Sequence, residues 1–213
     1  PNIERENKER LVNVTASLTG TDLSAVTTEL DRQISQMNIP SEIDIEYGGS
    51  AKDMQDSFRD LILLLILSIT LVYIVMASQF ESFREPFIIM FSLPFAFTGV
   101  FLALWISGTT LNVISFIGAI MLVGIVVKNG IILVDYTNLL RDRGVSLKKA
   151  VVHGGRLRLR PVLMTSLTMI LAMIPLVLSK GEGSEIWRPM GISLMGGLTF
   201  STLITLIVIP VIY

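Results

Sequence analysis

Lys128 and Asp135 are the two charged side chains in an otherwise uncharged stretch from Leu111 to Tyr136. An ammonium set that deep in an apolar run is costly in a bilayer unless it is paired or hydrated. Two readings follow. Lys128 is an ion-coupling group, or it is an anchor that snorkels to a nearby helix end. Asp135 lies seven residues on, near the same helix face and about 10 Å along the axis. That is too far for a direct pair without long side chains or water. Asn129, beside Lys128, can donate and accept inside a bundle, or simply join two helices. Arg158 and Thr165 form a second pair at the same seven-residue spacing. A hydroxyl at Thr165 can orient a water or relay a proton, or bond its own backbone. Arg156, Arg158 and Arg160 have a topological reading of equal weight.

Other chemistries find little support. There is no cysteine, so a thiolate catalyst and a disulfide scaffold are excluded. The one histidine, His153, sits in a basic segment without ligand partners, and no serine, histidine and acid constellation is visible. A phosphate-cradling Gly-x-x-x-x-Gly-Lys motif is absent, which leaves ATP drive unsupported. Met164, Met169 and Met173 read as apolar filling rather than a soft-metal path. No enzyme activity, cofactor or metal site is expected. The formal net charge of -1 gives no reason to expect nucleic acid.

The elements that must position these residues are mostly apolar. The 213 residues are 51% hydrophobic and 16% charged, well short of the charge of an ordinary soluble domain. The imbalance is uneven: residues 1–57 are polar, and the apolar excess lies in residues 58–213. The expected fold class is an α-helical polytopic membrane protein with five transmembrane spans near 61–77, 86–106, 111–136, 159–178 and 189–213. Each approaches the ~20 residues that cross a bilayer core. Pro86 suits a first helical turn, and residues 140–158 read as a polar connection. Ahead of the spans, residues 11–16 and 43–47 read as strands. Between them lies a helix capped by Thr21 or Asp22 and ended by Pro40. That β-α-β piece is too small for its own core and is expected to complete a larger domain.

Both ends read as cut from a longer polypeptide. Arg141, Arg143, Lys148, Lys149, Arg156, Arg158 and Arg160 face one acid, Asp142, between the third and fourth spans. The next loop offers only Lys180 and Arg188. Positive-inside bias puts the first group in the cytoplasm and residues 1–57 on the opposite side. None of the other four spans contains a carboxylate. A partner for Lys128 is therefore expected from outside this segment.

Three motifs carry a resemblance. GAIMLVGIVVKNGIILVDY (Gly118 to Tyr136), RLRLRPVLMTSL (Arg156 to Leu167) and FESFREPFIIMFSLP (Phe80 to Pro94) are similar to segments of hydrophobe/amphiphile efflux permeases of the resistance–nodulation–division family. The resemblance covers essentially the whole chain and matches the spans to the eighth to twelfth of twelve helices. It implies a homotrimeric permease of the bacterial inner membrane, with residues 1–57 at the end of a periplasmic porter domain. It further implies a periplasmic adaptor and an outer-membrane channel as partners, amphiphilic small molecules as cargo, and the proton gradient as energy source. In that family paired aspartates of the fourth helix face a lysine of the tenth, joined by an arginine and a threonine of the eleventh. By motif these three fall on Lys128, Arg158 and Thr165; Asn129 and Asp135, on the same span as Lys128, are candidates for a supporting role from their position alone. A metal-exporting relative of the same superfamily is one alternative. A non-transporting scaffold or split pump component is another.

Overall fold

The computed structural model describes all residues except 1–3, 7–8, 13, 17–22, 38–39, 41–42, 44, 46 and 182. The chain divides into two units, Pro1–Asp56 and Ser57–Tyr213.

In the first unit β1 (Glu4–Glu6) pairs antiparallel with β2 (Glu9–Leu11), with Arg5 opposite Arg10. Helix α1 follows at Leu23–Gln36. Its expected caps, Thr21 and Asp22, lie outside the described residues, as does Asn13 of the first expected strand. The expected β-α-β order is not seen among the described residues. Among the described residues of 11–16 only Leu11 belongs to a strand, and among those of 43–47 Ile43, Ile45 and Tyr47 belong to none. Alternation marks a residue run as fit for a strand, but a strand also needs a hydrogen-bonded neighbour. Instead Tyr47 donates from its hydroxyl to Asp31 Oδ1 at 2.7 Å, tying this run to α1. That bond to a carboxylate raises the Tyr47 phenol above its usual range. On the solvent side of α1, Arg32 pairs with Glu29 at 2.7 Å and holds the Glu29 carboxyl below its usual range. Val12, Val14 and Ile43 stay largely exposed.

The second unit is helical. It contains α2 (Ser50–Phe80) from Ser57 onward, α3 (Arg84–Met90), α4 (Leu93–Ser107), α5 (Val113–Asp142), α6 (Leu147–Leu178) and α7 (Ser184–Ile212). Among the described residues five helical segments are long and apolar enough to cross a membrane: Lys52–Phe80, Arg84–Ser107, Val113–Asp142, Leu147–Leu178 and Ile186–Ile212. Two boundaries differ from expectation. The second span breaks at Phe91–Ser92, where Pro94 can offer no N–H to the preceding turn. The Ser92 hydroxyl bridges the step by donating to the Ile89 carbonyl at 2.7 Å. The expected polar connection 140–158 shrinks to Arg143–Ser146, because basic residues at a membrane surface stay helical while their charges reach water. Gly108 closes α4 at φ 65°, a left-handed conformation that suits glycine. Asn112 and Ser115 then form a reciprocal capping box that starts α5.

Helix α7 is the centre of the unit and packs on α4, α5 and α6. Side-chain and backbone proximity fixes the directions. Gly99 lies against Phe200 and Gly196, with Gly196 also against Ala103, so α4 and α7 run antiparallel. Gly118 meets Met190 and Gly130 meets Ile209, so α5 and α7 run parallel. Helix α6 runs antiparallel to both, with Gly191 against Val177 and Gly154 against Thr137. These close approaches need small residues, the usual solution where lipid removes the hydrophobic drive between helices. The core between the helices holds Met76, Ile89, Val100, Leu122, Val126 and Ile209. Outer faces of α2 and α6 leave Leu63, Leu67, Leu71, Met164, Leu167 and Leu171 exposed.

Candidate functional site

Lys128 is the sixteenth of the thirty residues of α5, close to its midpoint. At 1.5 Å per residue about 22 Å of helix lies on either side. Val126, Val127, Asn129 and Gly130 around it are buried, whereas Lys128 itself is exposed. Met121, Gly124, Asp135 and Leu139 are exposed as well and fall with Lys128 on one stripe of the helix. A Cβ added at Gly124 would meet nothing within 4 Å. Among the described residues Lys128 has no ion pair, and Asp135 has none either. The stripe is open space next to an unpaired ammonium at mid-helix.

The opposite side of α5 is anchored. Asn129 Nδ2 donates to Ser166 Oγ of α6 at 3.2 Å, and Thr202 Oγ1 of α7 donates to the same oxygen at 3.0 Å. Sequence reading gave Asn129 as a supporting residue and missed Ser166 and Thr202. Hydroxyls in membrane helices mostly bond their own backbone, and no spacing signal distinguishes these two.

Thr165 follows that majority pattern, donating to the Val162 carbonyl at 3.0 Å, and is half-buried. Arg158 stacks its guanidinium over the Tyr136 ring, 4.5 Å from the centroid. Its Nε is buried and has no hydrogen-bond partner among the described residues. Tyr136 was named in the sequence only as the end of a motif; its role as a platform needs the α5–α6 register to be seen. No hydrogen bond or ion pair joins Lys128, Arg158 and Thr165 to one another among the described residues. They sit along the α5–α6 pair, Arg158 and Tyr136 toward its basic end.

At that basic end a cavity of about 550 Å³ opens between Phe80, Glu85, Asn138, Arg141 and Asp142. Arg141 donates to the Tyr213 hydroxyl at 3.0 Å, and that hydroxyl donates to Asn138 Oδ1. Among the described residues no group of three or more histidine and acidic side chains has the spacing to hold a metal ion.

The family model described as the AcrB/AcrD/AcrF family matches residues 1–213. The chain belongs to that family. These are the resistance–nodulation–division permeases whose motifs Gly118–Tyr136 and Arg156–Leu167 resemble. The swarming motility protein SwrC of Bacillus subtilis (strain 168) is 36% identical over 212 residues, covering 99% of this chain and 20% of that protein. The multidrug resistance protein MdtC of Salmonella typhi is 38% identical over 196 residues, 92% of this chain and 19% of that protein. The cobalt-zinc-cadmium resistance protein CzcA of Cupriavidus metallidurans is 35% identical over 212 residues, 99% and 20% of the two chains. A crystal structure of a heavy metal efflux pump superposes with a TM-score of 0.81 at 35% identity, over 92% of this chain and 20% of that one. The chain therefore spans about one fifth of the length of these relatives.

Proposed function

We propose that this chain is the segment of a proton-driven efflux permease that supplies the cationic side of its proton-coupling site. The observation that carries the reading is Lys128: an ammonium at mid-helix, without an ion pair among the described residues, on an exposed stripe of α5. A carboxylate from a helix outside this segment would pair with it there. At about 4 Å and an effective dielectric of about 20, such a pair is worth roughly 4 kcal/mol. Protonating the carboxylate removes its charge and that attraction. The open side of α5 then favours a different packing, and the resulting movement of the bundle drives export. Arg158 lines the route toward the basic end, and Thr165 orients water along it. Asn129 and Asp135 support Lys128.

In this reading the permease is a homotrimeric antiporter of the bacterial inner membrane. Residues 1–57 belong to a periplasmic porter domain, and an adaptor and an outer-membrane channel complete the path. The cargo is an amphiphilic compound, in keeping with the similarity to MdtC. A metal cation is the second reading, favoured by the similarity to CzcA and to the heavy metal efflux pump. One experiment separates them. Cells that express or lack the native full-length polypeptide are loaded with ethidium or with zinc, and export is followed with and without a protonophore. Ethidium export that stops with the protonophore supports the proposal. Zinc export with unchanged ethidium replaces the cargo, and export of either that survives the protonophore refutes proton drive.

A further inference from the structure

Two hydroxyls inside the bundle, those of Ser166 and Thr202, are joined across helices rather than to their own backbone. Thr137, Thr165, Thr168 and Thr199 each donate to a carbonyl three or four residues back in their own helix. Thr202 instead reaches across to Ser166, and Ser166 Oγ accepts from both Thr202 and Asn129. All three side chains are nearly inaccessible, at 4%, 3% and 4% exposure for Asn129, Ser166 and Thr202. Apolar packing tolerates small rotations of a helix, because one methyl can replace another. A hydrogen bond between buried groups does not, since turning away leaves a donor unsatisfied. A serine oxygen has two lone pairs, and both are engaged here, one by α5 and one by α7. The cluster therefore defines one rotation and one axial register for three helices at once. Its members also sit next to the coupling candidates: Asn129 follows Lys128, and Ser166 follows Thr165. One residue is about 100° of helix turn. Holding Asn129 inward thus holds Lys128 on the open stripe, and holding Ser166 inward fixes the flank that carries Thr165.

We propose that Asn129, Ser166 and Thr202 form a register clamp in which Ser166 and Thr202 are positioning residues, aiming Lys128 and Thr165 by fixing α5 and α6 against α7. The proposal rests on the coupling role given to Lys128. The test uses the full-length polypeptide, with export of ethidium, or of zinc where zinc proves the cargo, measured per molecule in the membrane between pH 6 and 8. Thr202→Val keeps the side-chain shape and removes the hydroxyl; Ser166→Ala removes the shared acceptor. Each is expected to lower turnover about tenfold, equivalent to about 1.4 kcal/mol, and to shift the pH of half-maximal export. The double variant should be no worse than the worse single one, because both break the same unit. Thr202→Ser restores the hydroxyl and should restore both rate and pH profile. The clamp is overturned by a Thr202→Val protein with normal rate and pH profile, by additive losses in the double variant, or by Thr202→Ser as impaired as Thr202→Val. Lys128→Met is run alongside. If it exports normally, the coupling reading has failed; if it is inert while Thr202→Val is normal, only the clamp has.

Discussion

Replacing Gly196 with alanine places one methyl group where two helices already touch. A Cβ there would overlap Ala103 Cβ of α4 and lie 2.8 Å from the Gly99 carbonyl oxygen. Both obstacles are fixed to helix backbone, so no side-chain rotation removes them. Comfortable carbon contacts need about 3.5–4.0 Å, so α4 and α7 must part by about 1 Å or more. Such overpacking in a close-packed interior costs about 1–3 kcal/mol. The separation also opens the seam beside Val100 and Leu122, which line the neighbouring Gly197. Gly124→Ala is the matched control, since its new Cβ meets nothing within 4 Å in this segment. The assay is the thermal unfolding midpoint of the purified full-length protein in one detergent, followed by loss of the monodisperse species. Gly196→Ala should lower the midpoint clearly, and Gly124→Ala should leave it near wild type. Equal midpoints for Gly196→Ala and wild type would refute the claim that α4 and α7 meet through glycine.

Two further outcomes follow from single contacts. Tyr136→Leu removes the ring beneath the Arg158 guanidinium; a partly desolvated cation–π contact is worth about 1–2 kcal/mol, so export should fall about five- to thirtyfold while Tyr136→Phe stays near wild type. Equal rates for Tyr136→Leu and Tyr136→Phe would show the ring is not a platform. Asn112→Ala breaks the capping box at the start of α5 and should cost about 1 kcal/mol. It would appear as faster amide exchange in a peptide covering residues 111–118, and unchanged exchange there would count against the cap.

Much of this architecture is written in hydropathy. Five apolar runs announce five spans, and the ammonium of Lys128 stands out because nothing charged surrounds it. Span ends are less legible, since residues such as Lys148 and Arg156 are polar yet remain in α6. The break at Phe91–Ser92 follows from Pro94, but a proline in a membrane helix produces a break, a kink or neither according to its neighbours. The strand expected over 43–47 is not seen among the described residues, since alternation describes a face and not a partner. Helix pairing is the deepest gap. That Gly196 meets α4 while Gly118 meets Met190 depends on which helices are adjacent, and glycine spacing alone does not say. The same holds for Ser166 and Thr202, which differ from Thr165 and Thr199 only in what stands opposite them.

The most direct test of the account is export by the Lys128→Met full-length polypeptide. Removing an ammonium from the middle of an apolar span should not raise the cost of insertion, so membrane abundance should not fall. Export should nevertheless drop to the level of cells without the protein at every pH from 6 to 8. Protonophore-sensitive export at the wild-type rate would contradict the central claim that Lys128 senses the proton.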